Sequence, residues 1–331
     1  MSMLSPELLR ELVAEARLAP SVHNIQPTRW RLAADGRLVL LDDCIVRVPV
    51  ADPSGHDVRI SHGAALEGMS LALGRRGLSI VDIAPAPEQA PSRHAAVCTL
   101  TIAGSGHDDP LGDAVSRRMA WRGAFVRSPD DDAALRTIAT GRDDVVCIRE
   151  RAAIAEIATW GDQAEISFLR RDAHRRELLH WMRLSRRHPR YALDGLNREA
   201  LAMSAVEALG AGIVLGSIFP ALDRFGLAAA LVSERAKTAS AAGLVLLFRP
   251  KHEDALVSGR HFYRLWLAIA RAGFSACPMS ALADAPDVNA RLSTLAGVDD
   301  GRRLVNVFRV GRPQTTKAVS HARLPIVDLI V

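Results

Sequence analysis

Apolar positions along the chain repeat with two periods, and the places where one gives way to the other mark out the elements. Leucines at helical spacing follow Ser5-Pro6, where Ser5 can cap and Pro6 fits the first helical position, so a helix is predicted to about Leu18, stopped by Pro20. Trp30–Leu32 and Leu38–Leu41, separated by Asp35-Gly36, read as a hairpin. Asp52–Gly55 is a loop, and a long helix follows from about Val58 to Arg76, stopped by Gly77. Ala84–Pro91 is a Pro/Ala-rich connection, and Val97–Ile102 is a strand. Further on, helices are predicted at Asp113–Met119, Asp130–Ile138, Ala152–Arg171 and Gly259–Ala272. Strands are predicted at Val145–Ile148, Leu244–Phe248 and Leu304–Val310. Between Asp172 and Ala242 the chain is first strongly charged, then small and apolar.

The two long helices align with each other. Gly63–Ser79 and Gly259–Ser275 superpose without a gap at a constant offset of 196, with Gly63/Gly259, Leu71/Leu267, Ala72/Ala268, Arg75/Arg271, Gly77/Gly273 and Ser79/Ser275 identical. Each copy is a helix, a glycine stop and a strand. A shared cap glycine alone is expected of any two core helices. The full set points to an internal duplication, two half-units packing their central helices together.

Composition narrows the function classes. The chain has 331 residues, 49% of them hydrophobic, enough for a sizeable core. Its net charge of +5 comes from arginines dispersed among acids, with lysine only at Lys237, Lys251 and Lys317, so no basic stripe suggests nucleic acid. Cys44, Cys98, Cys147 and Cys277 are far apart and form no CxxC pair, which suggests neither zinc nor disulfides. The N-terminus has no apolar signal core, and the apolar run Ala208–Leu222 is shorter than the ~20 residues a membrane span needs and contains Pro220. A cytoplasmic protein without membrane contact is expected, the run being a buried or lid helix. His174 and His180 flank Glu177 but fall on different helix faces, and there is no HExxH and no G-x-S-x-G, so no metal site is expected.

Four segments could carry chemistry. Ala19-Pro20-Ser21-Val22-His23-Asn24-Ile25-Gln26-Pro27 breaks a helix and strings together small and amide side chains able to hydrogen-bond the edge of a flat polar ring. A lone histidine in such a turn, His23, is more often structural than a proton donor. Arg118 and Arg122 lie four apart; on a helical turn they would share a face and could hold a phosphate, although spacing alone favours a solvated arginine face. Pro278-Met279-Ser280-Ala281 follows the second long helix and reads as a buried strand. His321 and Arg323 sit in a basic turn, Ser320–Pro325, near the C-terminus.

The first of these segments resembles the A-P-S-x-x-N-x-Q-P signature of the nitroreductase-type flavoproteins, and Arg118–Arg122 resembles their R-x-S-x-R motif with Ala120 in the hydroxyl position. Where members often have Trp after Gln-Pro, this chain has Thr28. The resemblance implies FMN. Pro20, Ser21, His23, Asn24 and Gln26 would line or shape the ring site, with Ser21 and Asn24 contacting the isoalloxazine or ribityl group. Arg118, Arg323 and His321 would hold the phosphate, Arg122 would stabilise the reduced ring, and the backbone of Pro278, Met279, Ser280 and Ala281 would run along its reactive edge.

Both sets of motifs occur once each in one chain, an arrangement similar to the Acg subfamily of single-chain pseudo-dimers. Asp52–Gly55 with Ile60–Leu66, Glu177–Trp181 with Asp194–Leu196, and Phe308–Pro313 add to the match. The implied fold is α+β, nitroreductase-like, two fused half-units with central helices and mostly antiparallel sheets: residues 1–110, and residues 111–331 with a candidate lid at 172–242. The implied activity is an FMN-dependent oxidoreductase carrying hydride from NAD(P)H to a quinone, nitroaromatic or similar electrophile, as a monomeric pseudo-dimer or a homodimer. The alternative is a protein that sequesters FMN beneath its lid with little turnover.

Overall fold

The computed structural model describes residues 4–86, 92–314 and 322–331. Helix α1 (Pro6–Ala16) begins as its sequence dictates: the Ser5 hydroxyl accepts from the Leu8 N–H at 3.2 Å, and Leu9, Leu12, Val13 and Ala16 form the buried face. The hairpin β1 (Thr28–Leu32) and β2 (Leu38–Asp43) follows, then α2 (His56–Gly74), β3 (Ser79–Pro85) and β4 (His94–Ala103). These strands make one antiparallel sheet in the order β1-β2-β4-β3.

The rest of the chain runs β5 (Phe125–Val126), α3 (Asp131–Ala139), β6 (Val145–Ile148), α4 (Arg151–Arg170), α5 (Asp172–Trp181), β7 (Met182–Arg183), β8 (Leu196–Asn197), α6 (Ala205–Ile213), α7 (Phe219–Arg224), α8 (Ala228–Val232), α9 (Arg235–Ala239), β9 (Gly243–Pro250), α10 (Ala255–Arg271), β10 (Ser275–Pro278), α11 (Ser280–Asp284), α12 (Pro286–Leu295) and β11 (Arg302–Pro313). The second antiparallel sheet has the order β6-β9-β11-β10, with β5 added on β11.

The two sheets are built alike. In each, a central helix follows the second strand and leads through a left-handed glycine, Gly77 (φ +70°) or Gly273 (φ +82°), into an edge strand that pairs with the last strand. The expected α+β architecture of two like half-units is what the chain adopts. Helices α2 and α10 pack against each other at its centre. Most of α2 is buried, which explains why its apolar positions run nearly all round it.

The second sheet is covered on both faces. Phe262 and Trp266 of α10 lie with Phe308 on one side, and Ile154, Ile157 and Leu292 lie with Leu244 and Leu246 on the other. Its middle strand β9 therefore reads as an unbroken apolar run. The C-terminal tail returns to the first sheet: Trp30 donates to the Leu329 carbonyl and Val331 to that of Trp30, giving β1 an extra neighbour on its outer edge.

Three expectations need correction. Asp113–Met119 is not a helix; only a short 3₁₀ turn, Gly112–Ala114, forms there. The following residues extend instead, because Ala120 pairs with Ala276 and the Trp121 N–H donates to the Ala276 carbonyl. The run 208–222, expected as a buried or lid helix, is helical but not buried. It lies on the outside within a helical stretch, Ala205–Arg224, 20 residues long and therefore longer than its composition implied, with a wide π turn at Val214–Ile218. Finally, α11 and α12 lie in a stretch where the sequence suggested no helix.

Candidate functional site

The segment after α1 is held in a strained shape. His23, Asn24 and Gln26 all have positive φ, at 42°, 57° and 55°. Such backbone costs about 1–3 kcal/mol per non-glycine residue and persists only where its surroundings fix it. Here the Ser21 hydroxyl accepts from the Gln26 N–H at 2.9 Å, and the Ser61 hydroxyl of α2 accepts from the Val22 N–H at 3.0 Å. His62, next along α2, is 2.9 Å from the Thr28 hydroxyl and 3.2 Å from Asp42. Ile60-Ser61-His62-Gly63 is thus one fastening device: Ser61 pins the strained loop, His62 holds the start of β1 that follows it, and the glycine faces α10.

The amides of this loop turn toward the candidate lid and the tail. Asn24 Nδ2 donates to the carbonyls of Gly195 and Ala322, while its Oδ1 accepts from Arg323. Gln26 Nε2 donates to the Leu193 carbonyl, and its Oε1 accepts from the Leu324 N–H. The Arg323 N–H donates to the Ala192 carbonyl. Three distant segments, 21–26, 192–197 and 322–324, therefore meet in one hydrogen-bonded knot. In this arrangement the Asn24 amide is a strut with its hydrogen-bonding groups already occupied.

Arg118 and Arg323 converge. Both donate to the Leu18 carbonyl, at 2.8 and 3.0 Å, and Arg323 also donates to the Arg17 carbonyl at 2.7 Å. Arg17 donates to the Leu324 carbonyl at 2.8 Å. Arg118 is only 3% exposed and its guanidinium lies over Trp266 at 4.6 Å and Tyr263 at 5.8 Å. Burial, with Arg118 as neighbour, pulls the Arg323 guanidinium down to about 9; burial lowers Arg118 as well.

Among the described ion pairs, no carboxylate faces Arg17, Arg118, Arg122 or Arg323. Arg17 Nε, Arg118 Nε and Trp266 Nε1 are buried without hydrogen-bond partners, and the Tyr263 hydroxyl lies against the Arg118 guanidinium. Arg323 donates every N–H to a protein acceptor, the Arg17, Leu18, Ala19 and Ala322 carbonyls and Asn24 Oδ1, so what an anion would meet here is positive charge without an acid, together with the free Nε groups of Arg17 and Arg118 and Trp266 Nε1. The donor set fits a phosphate group.

Arg122 goes elsewhere. The pair Arg118 and Arg122 does not share a helix face, because the intervening Ala120-Trp121 is extended along β10 and sends the two side chains to different places. Arg122 donates to the Ala200 carbonyl of the candidate lid at 3.0 Å, and its own carbonyl accepts from Arg309. Arg309 is wholly buried and also pairs with Glu234 of the lid at 2.5 Å. Loss of hydration, with Arg122 and His174 adding to it, holds partly buried His23 down to about 4, so it is neutral near pH 7.

Pro278 and Met279 lead from β10 into α11. The Met279 N–H donates to the Val307 carbonyl at 2.7 Å, so it is already committed; Ser280 and Ala281 open the helix, where leading N–H groups lack intrahelical acceptors. His321 lies outside the described residues. Sequence reasoning missed Arg17, Tyr263, Trp266 and Arg309. Arg17 lay in plain view three residues before Pro20, and Tyr263 and Trp266 lay within the duplicated helix.

No family model matches the chain. It is similar to two Mycobacterium tuberculosis proteins provisionally named NAD(P)H nitroreductases, 28% identical over 178 residues, 53% of this chain and 51% of theirs. The chain spans about half the length of the curated relatives it matches. Among solved structures it is similar to the FMN-dependent nitroreductase NfnB of Mycobacterium smegmatis in complex with NADPH, at 19% identity and a TM-score of 0.35, covering 64% of this chain and 91% of that one. A nitroreductase of Desulfitobacterium hafniense with bound FMN aligns at 13% identity and a TM-score of 0.38, covering 67% and 97%.

Proposed function

We propose that this chain is an FMN-dependent oxidoreductase of the nitroreductase type, working in the cytoplasm, its two half-units divided near residue 110 and together forming an Acg-like pseudo-dimer around one flavin. The observation that carries this reading is the acid-free cluster of Arg17, Arg118 and Arg323 with its unpartnered buried donors. The names of the M. tuberculosis relatives support the same class of activity.

Bound FMN would supply two-electron chemistry between a nicotinamide donor and a quinone, nitroaromatic or similar acceptor. Arg118 and Arg323 would hold the phosphate, with Arg17 beside them; His321, assigned to the same role by the resemblance, lies outside the described residues. Ser21, Asn24 and the 20–26 loop would shape the ring site. Arg122 would lend positive charge to the pyrimidine side of the ring, and the Pro278–Ala281 backbone would border the reactive edge. Neutral His23 would donate or accept a hydrogen bond without contributing charge.

A specific observation favours a second reading, FMN sequestration. The 172–242 segment is fastened across the site by the bonds from Asn24 to Gly195, Gln26 to Leu193 and Arg122 to Ala200. The test is the visible spectrum of the purified protein, titrated anaerobically with NADPH and then NADH. Flavin bands that bleach support the reductase, and bands that persist support sequestration. A protein that neither carries nor takes up FMN refutes both.

A further inference from the structure

The stretch Ala205–Arg224 is mostly apolar yet lies at the surface, its charged residues, Glu207, Asp223 and Arg224, standing near its ends. One face, Ala208, Leu215 and Phe219, is buried against the lid's own small core. The opposite face carries Val206, Leu209, Ile213 and Ile218, and beyond it Phe225, Leu227 and Leu231 are also exposed. Val206 is 80% exposed, Leu209 67% and Phe225 75%. Only 17% of an 18-residue window along this stretch is buried. A helix that is apolar all round needs a second apolar surface. Isolated exposed leucines are ordinary, whereas this contiguous row is not.

The surroundings of this face are cationic. Residues 170–232 contain ten arginines and six carboxylates, an excess of four in a chain whose net charge is +5. Several of those arginines are neutralised: Arg170 by Asp223, Arg186 by Glu199, and Arg183 and Arg190 by Asp194. Arg171, Arg187 and Arg224 have no carboxylate among the described ion pairs, and Arg187 and Arg224 are exposed. Arg224 ends α7 beside Phe225. The basic loop 185–190 follows Leu184, whose side chain packs beneath the stretch, 3.3 Å from where a Cβ on Gly212 would stand.

We propose that this face docks on an anionic lipid bilayer, the apolar row entering the headgroup–acyl boundary and Arg187 and Arg224 meeting lipid phosphates. A second copy of the chain is the poorer occupant, because a symmetric contact would bring two cationic segments together. The stretch does not span the membrane. Arg175 donates to the Leu215 carbonyl from beneath it, and Leu179 and Leu184 pack under Gly216 and Gly212. Surface docking needs no span, so the expectation of no membrane contact, drawn from the length of the run, does not bear on it. The proposal is independent of the flavin.

The test is co-sedimentation of the full chain with vesicles of phosphatidylcholine alone and with added phosphatidylglycerol, alongside light scattering of the free protein. The expected result is binding to the anionic vesicles, weakened by salt, and a monomer in solution. Leu209→Glu with Phe225→Glu abolishes the binding, and Arg187→Gln and Arg224→Gln each weaken it about fivefold. Circular dichroism of each variant matches the parent, since all four side chains are exposed. No binding to either vesicle overturns the proposal. So does equal binding to both, or a dimer that Leu209→Glu disperses.

Discussion

Gly63 and Gly259 face each other where α2 crosses α10. A Cβ built on Gly63 would stand 2.8 Å from the Gly259 Cα and 2.0 Å from the Leu256 carbonyl oxygen; one on Gly259 would stand 2.9 Å from the Gly63 Cα and 2.1 Å from the Ile60 carbonyl oxygen. The obstruction is backbone, so no side chain can swing aside. Gly63→Ala and Gly259→Ala are each expected to destabilise the protein by about 3 kcal/mol or more, through overpacking at the centre of the molecule. Because both substitutions wedge apart the same contact, the double variant should cost less than the sum. Denaturant melts of the two singles and the double check this; single variants within about 0.5 kcal/mol of the parent would contradict the packing.

This crossing was legible in the sequence because identical residues at a fixed offset point to matching surroundings, and the matching strand orders of the two sheets follow from the same repeat. The hairpin, both long helices and β6 were readable from period and punctuation. Arg118 and Arg122 were not: a spacing of four implies a shared face only on a helix, and the backbone there pairs with Ala276. Nor were the partners of Asn24 and Gln26, which lie about 170 and 300 residues away and leave no local trace. Whether 208–222 is buried or exposed stays open in the sequence for a related reason, since an apolar run does not say whether both its faces are covered.

Asn24 joins the strained loop to the lid and the tail. Asn24→Gly keeps a backbone suited to positive φ but removes the amide, whereas Asn24→Ala removes the amide and adds about 1 kcal/mol of left-handed strain. Both are expected to speed hydrogen exchange in 192–197, because the Gly195 carbonyl and Arg323 lose a partner. The alanine variant should melt lower than the glycine variant. Unchanged exchange in 192–197 would mean that the lid is fastened without Asn24.

Two partly buried groups give stability opposite pH dependences. His23 is held down to about 4 by burial, with Arg122 and His174 adding to it. The unfolded chain takes up this proton near 6.5, so the His23 contribution is complete above that pH and is lost as pH falls toward 4. Burial pushes Glu165 up to about 7, helped by Glu234 and Asp162. Its contribution is complete below about 4.5 and is lost as pH rises through 7. Each is expected to be worth on the order of 3 kcal/mol across its window. His23→Gln should flatten the acid side of a stability–pH profile and Glu165→Gln the neutral side; profiles parallel to the parent would remove these assignments.

The arginines should separate affinity from redox potential. Arg118 and Arg323 share the Leu18 carbonyl and have no acid partner, while Arg122 reaches the Ala200 carbonyl on the lid. If the first two grip the phosphate, Arg118→Met and Arg323→Met should each weaken FMN binding about tenfold or more, the loss expected of one charge-assisted hydrogen bond, and leave the potential of the retained flavin near that of the parent. Arg122→Ala should retain the flavin but lower its potential, because the added negative charge of the reduced ring loses its counter-charge. Fluorescence titration with FMN and a spectroscopic redox titration read the two effects independently. An Arg122→Ala potential equal to the parent's would place the arginine away from the ring, leaving it only the lid contact already seen in the structure.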